Sequence, residues 1–240
     1  MTRIIIATII LSIETICCFG QITENDLFNA YKQDLVKFQG TLSKLGGGGN
    51  CASIALIKSA IGTFGINGVF KDVKSDSTTK TVTVVLRNDD VVSLSFDRLS
   101  NGKKYFAIKN IGNEKIHKDI AEYSRFCFAI MCRRQQLKMG YDKSHFYRAV
   151  DRLNKGYSAS EIYELLGLRK KEINDLTHEN LSKFKNIVLY NSPHAVYSSY
   201  GNYDEFFRGT VSGIEPLARL NYFHCKTQNG CPIQGAYVLE

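Results

Sequence analysis

Gly46-Gly47-Gly48-Gly49-Asn50-Cys51-Ala52-Ser53-Ile54-Ala55-Leu56-Ile57-Lys58-Ser59-Ala60-Ile61-Gly62 is the stretch around which the rest of the chain reads. Four consecutive glycines carry a large backbone-entropy cost inside a helix or strand, and they let the main chain approach another group closely. Asn50 stands where a helix N-cap belongs, and Cys51 falls at the mouth of the helix that follows. Ile54, Leu56, Ile57, Ala60 and Ile61 make that helix apolar around much of its circumference, which predicts burial. Ser53, Lys58 and Ser59 set a limit to that argument. A thiol in the first turn feels the positive end of the helix dipole, which favours thiolate and prepares a nucleophile. Two other readings compete: a small core cysteine, and a glycine-rich phosphate loop at a helix N-terminus. The second lacks both a Gly-Lys-Ser/Thr ending and a strand before it.

The chain has 240 residues, which suits one large domain or two small lobes. Its net charge of +8 is dispersed, with no run of five basic residues, so a solvated basic surface is expected rather than a nucleic-acid groove. Residues 1–20 read as a secretory signal. Arg3 supplies the positive start, Ile4 to Phe19 is mostly apolar, and Cys18 and Gly20 put small residues before a cut ahead of Gln21. The expectation is a secreted or periplasmic domain over 21–240, or a membrane-anchored one if the segment stays uncleaved. Export leaves Cys51, Cys127, Cys132, Cys225 and Cys231, an odd number, so one thiol stays unpaired. Cys225 and Cys231 bracket a turn-rich loop that a disulfide would close, whereas Cys127 and Cys132 sit on one helix and read as core. No cysteine pair has zinc spacing together with histidines, and neither metal nor cofactor is expected.

The order of elements predicts an α+β chain. Thr23 and Asp26 have capping-box spacing at the start of a helix expected to reach Gln39. Thr79 to Phe96 alternates as a β-hairpin about Asn88-Asp89-Asp90, and Tyr105 to Ile108 suggests a third strand. Asp119 to Met139 and Ser144 to Leu153 read as helices. Asn186 to Tyr190 and a run opening at His194 read as strands, with Phe206 to Gly213 as a return strand. Between them, Gly156 to Leu176 has the pattern of a helix-turn-helix: a capping box at Ser158 and Glu161, a Leu-Gly-Leu turn, and a second helix opening on Arg169, Lys170 and Lys171. An export signal and the lack of a second basic element make an ordinary helical hairpin the better reading, because DNA affinity needs several phosphate contacts.

A helix-starting cysteine followed much later by a histidine at the head of a strand resembles papain-like thiol hydrolases. More narrowly, the chain resembles calpain-like cysteine peptidases over about residues 40 to 200. Their Leu-Gly-Asp-Cys is similar to Leu45, the glycines, Asn50 and Cys51, and their Gly-His-Ala-Tyr-Ser to Pro193-His194-Ala195-Val196-Tyr197-Ser198. The resemblance implies a papain-like fold, with a helical N-terminal part around the Cys-bearing helix and a β-rich C-terminal part. It also implies Cys51 as nucleophile and His194 as general base toward an amide or ester of a peptide or protein substrate. The Cys51 N–H would be one oxyanion donor, and Asn50 or a glycine N–H a second. Three family features differ: the glutamine before the cysteine is matched by Leu45, the aromatic after it by Ala52, and Asn-Pro-Trp-Gly by Ile214-Glu215-Pro216-Leu217. Glu215, Asp204 and Asn221 are the candidates for orienting the imidazole. His145, His178 and His224 have no such partner and read as structural. The competing functional readings are a thiol hydrolase, an inactive papain-like binding module, and the helix-turn-helix.

Overall fold

The computed structural model describes residues 22–34, 49–140, 146–191, 194–204, 214–217 and 232–240. Residues 1–20, Leu45, Gly46 to Gly48, His145, Phe206 to Gly213, Asn221, His224, Cys225 and Cys231 therefore lie outside the described residues, together with the expectations that rest on them. In chain order the first half runs α1 (Glu24–Ala30), β1 (Tyr31–Gln33), α2 (Cys51–Phe64), β2 (Asp72–Asp76), β3 (Thr81–Val85), β4 (Val91–Ser95), α3 (Phe96–Tyr105) and β5 (Ile108–Asn110). The second half runs α4 (Lys115–Lys138), α5 (Phe146–Lys155), β6 (Lys170–Glu172), α6 (His178–Leu181), β7 (Ile187–Tyr190), β8 (Ala195–Ser199), β9 (Asn202–Asp204), β10 (Ile214–Pro216) and β11 (Gly235–Leu239). The fold class is α+β, with helices beside three antiparallel sheets ordered β1-β5, β2-β3-β4 and β10-β9-β8-β7-β11-β6.

Helix α2 explains the arrangement. It packs on β7, β8 and β11 on one side and on α4 on another, so every residue from Cys51 to Ile61 is buried. Fully burying Ile54, Leu56, Ile57 and Ile61 contributes roughly 6–12 kcal/mol. That is enough to carry the polar residues that seemed to limit burial, because two of them find partners. Ser59 Oγ donates to Asn186 O, and Lys58 Nζ donates to Tyr31 O at 2.9 Å and to Asp204 Oδ2 at 2.5 Å. The ammonium also lies 4.8 Å from the centre of the Tyr31 ring. Lys58 thus pins the middle of α2 to β9, in the sheet that carries His194.

The capping box forms: Thr23 Oγ1 accepts from Asp26 N–H at 3.2 Å, and Asp26 Oδ2 accepts from Thr23 N–H at 2.8 Å. The helix it starts is shorter than the local periodicity suggests. The chain turns extended at Tyr31 because β1 pairs with β5, which buries Tyr31 and Gln33 on one face. The hairpin expected over Thr79 to Phe96 is β3 and β4, but its third strand is β2; β5 joins β1 instead.

The helical hairpin expected over Gly156 to Leu176 does not form, and the helix-turn-helix alternative falls with it. Ile162–Leu166 is a short 3-10 turn whose N-cap makes no side-chain bond, and Lys170–Glu172 is an edge strand paired with β11 rather than a recognition helix. Lys170 Nζ donates to Ser160 O at 2.8 Å and ion-pairs with Glu172. Partners far away in sequence decide this element against its local helical pattern. Cys127 and Cys132 are fully buried free thiols in α4, as core cysteines should be. No helix among the described residues is long and apolar enough to cross a membrane.

Candidate active site

Cys51 opens α2 and is only 7% exposed. Asn50 occupies the N-cap position, but its side chain makes no capping bond. Its Nδ2 donates instead to Ala107 O at 3.1 Å, tying the start of α2 to the chain just before β5. The side-chain donor expected of Asn50 is therefore committed to Ala107 O.

The Cys51 sulfur donates to Gly49 O at 3.8 Å. Burial pushes its pKa above the ordinary thiol range; the N–H groups of Ala195, Ala52 and Cys51 itself pull the other way without cancelling it. The sequence expectation of a lowered pKa is corrected on this point. Helix-start N–H groups do act on the sulfur, but desolvation outweighs them.

His194 stands immediately before β8 and is 8% exposed. Tyr190 of β7 pairs with Ala195 of β8, and Asn191 closes the turn between them. The His194 N–H donates to Asn191 Oδ1 at 3.0 Å, while the Asn191 N–H donates to His194 O at 2.9 Å. Both backbone polar groups of His194 are thus held by one residue.

Cys51 and His194 line the same cavity, of about 580 Å³, with Gly49, Ala52, Lys155 to Ser160, Tyr190, Asn191, Ala195 and Gln234. The cavity lies where the start of α2, the segment after α5 and the β7–β8 turn meet. The structure thus brings together the two residues that the sequence singled out.

The third member is placed differently. Asp204 is bound to Lys58, two helical turns or about 10 Å along α2 from Cys51. It is not the imidazole's partner. Burial pushes the Asp204 carboxyl up to about 6, with the Lys58 ammonium pulling it back, and burial pushes Lys58 down. Glu215 pairs through its backbone with Tyr203, and its side chain lies outside the described residues.

Two residues that sequence reasoning missed belong to this region. A Cβ on Gly49 would fall 1.6 Å from Gln33 Nε2, so the Gln33 amide lies against the backbone two residues before Cys51. That contact leaves no room for a side chain at Gly49, and it sets the Gln33 amide beside the backbone leading to Cys51. No local signal pointed to Gln33, since it sits on β1 with the whole Gly-rich segment between. Asn191 is the other. Its signal was the turn sequence Asn191-Ser192-Pro193-His194, in which an asparagine side chain commonly bonds the backbone two or three residues on.

His117, also unremarked in the sequence, is buried with Nε2 3.7 Å from Asp26 Oδ1, in the contact between α1 and α4, and does not line this cavity. No group of three metal-ligating side chains forms among the described residues. Compared with models of protein families, with curated proteins and with solved structures, the chain matches none.

Proposed function

We propose that this chain is an exported papain-like thiol hydrolase, a cysteine peptidase or amidase, acting on an amide or ester of a peptide or protein. One observation carries the reading: Cys51 at the head of a buried helix and His194 at the head of a strand line one cavity, with the Ala195 N–H facing the sulfur. His194 takes the Cys51 proton, and the thiolate attacks the carbonyl carbon to form a tetrahedral oxyanion. The Cys51 N–H and Gln33 Nε2 hold that oxyanion, Gln33 replacing Asn50 as the second donor. His194 then protonates the departing amine or alcohol, and water releases the acyl group from sulfur. Because burial disfavours a free thiolate, the proton leaves only with the imidazole there to receive it.

The alternative is an inactive module of the same fold. The raised thiol pKa favours it. Labelling with a dipeptidyl chloromethyl ketone, read by peptide mass spectrometry, separates the two. The hydrolase carries the label on Cys51, and Cys51→Ser and His194→Ala abolish it. An unlabelled Cys51 in folded wild-type protein would reject catalysis.

A further inference from the structure

We infer that Asn191 is the positioning residue for His194, a role that rests on the hydrolase reading above. The main-chain bond from Asn191 N–H to His194 O already closes the β7–β8 turn. The side chain adds a second bond, Oδ1 accepting from His194 N–H, and so fixes the peptide plane from which the imidazole hangs. That bond also sets the amide's orientation: with Oδ1 committed to His194, Nδ2 faces the other way. There it is buried without a hydrogen-bond partner, in a residue only 4% exposed.

An unmade bond on a buried amide costs at least as much as one neutral hydrogen bond contributes. The Asn191 side chain therefore gives the turn no net stability, and turn closure alone does not account for it. What it does provide is a fixed backbone at His194, on the wall of the cavity that Cys51 also lines. Asp204, for its part, is committed to Lys58.

The test separates position from stability. Cys51 alkylation by iodoacetamide is followed against pH, with melting temperature measured alongside, for wild type, Asn191→Leu and Asn191→Asp. Leucine keeps the volume and removes the acceptor; aspartate keeps an acceptor at the same place and exchanges the unbonded amide donor for a second carboxylate oxygen and its charge. The expected result is a melting temperature in Asn191→Leu within about 5 °C of wild type, since an orphaned Nδ2 is exchanged for an orphaned His194 N–H, with alkylation at pH 6 slowed about tenfold or more, the factor one lost hydrogen bond carries at its upper range. Asn191→Asp should restore the rate to within about threefold, because its carboxylate oxygen accepts the same N–H.

A wild-type rate in Asn191→Leu overturns the assignment and leaves the hydrolase reading intact. An equal slowing in Asn191→Asp overturns it too. If Asn191→Leu fails to fold, Asn191→Ala takes its place, and failure of both makes the residue structural and ends the proposal. A wild-type protein with no low-pH reactivity would instead remove the hydrolase reading itself.

Discussion

Replacing Lys58 by methionine removes the cation that holds α2 to β9 and keeps most of the side chain's volume. It leaves the Asp204 carboxylate, 1% exposed, without its ion partner, and Asp204 Oδ1 already lacks a hydrogen-bond partner. Breaking one side of such a buried pair costs about 3–5 kcal/mol. In a protein of this size that corresponds to a melting temperature lower by about 6–20 °C. The sign of the pH dependence follows from Asp204. Its folded pKa, pushed up to about 6, stands above the unfolded value. Its contribution to stability is thus full below the unfolded pKa and is lost as pH rises through the folded one. Without Lys58 the folded value moves higher still, so the carboxyl is neutral at pH 5 and the penalty shrinks there. Urea denaturation followed by circular dichroism at pH 7.5 and pH 5 measures both. The double variant Lys58→Met/Asp204→Leu should recover to within about 1 kcal/mol of wild type, since an apolar pair replaces a desolvated ionic one. A single-variant loss under about 1 kcal/mol at pH 7.5, or a penalty that grows in acid, would refute the reasoning.

Gly49→Ala places a methyl where Gln33 Nε2 now lies, and the end of that side chain has to move. Stability should fall by about 1 kcal/mol, while ketone labelling of Cys51 slows about a hundredfold through loss of one oxyanion donor; an unchanged labelling rate would exclude Gln33 from the site. Burial pushes Cys127 and Cys132 far above the ordinary thiol range. Native protein treated with iodoacetamide at neutral pH should carry label on Cys51 before either of them, which peptide mapping of a time course decides.

Much of this fold is readable where the determinants are local. The apolar wrap of residues 51–64, the capping box at Thr23 and Asp26, and the alternation of β3 and β4 each state their structure within a few residues. Where distant partners decide, the local pattern misleads. Arg169-Lys170-Lys171 looks like a helix start, yet β11 makes it a strand, and Tyr31 leaves its helix for β5. Lys58 reads as a flaw in a buried helix until Asp204 arrives from the far end of the chain. That Cys51 and His194 line one cavity agrees with the sequence's pairing of them, and the helix dipole on the thiol is visible there too. The desolvation that outweighs that dipole is not visible, because it depends on what closes over Cys51. Gln33 and Asn191 escape for the same reason: their importance lies in contacts, with Gly49 in one case and the His194 backbone in the other.

The most direct test of the Cys51–His194 pair is the pH–rate profile of Cys51 alkylation by iodoacetamide, with the site read by mass spectrometry, in wild type and His194→Ala. Wild-type Cys51 should react at pH 6 at least about tenfold faster than a simple thiol, whose pKa is near 8.5. In His194→Ala that low-pH limb should vanish, because the burial that pushes the Cys51 pKa up is then no longer opposed by an imidazole that takes the proton. A wild-type rate at pH 6 no faster than a simple thiol, or a profile that His194→Ala leaves unchanged, would contradict the pair.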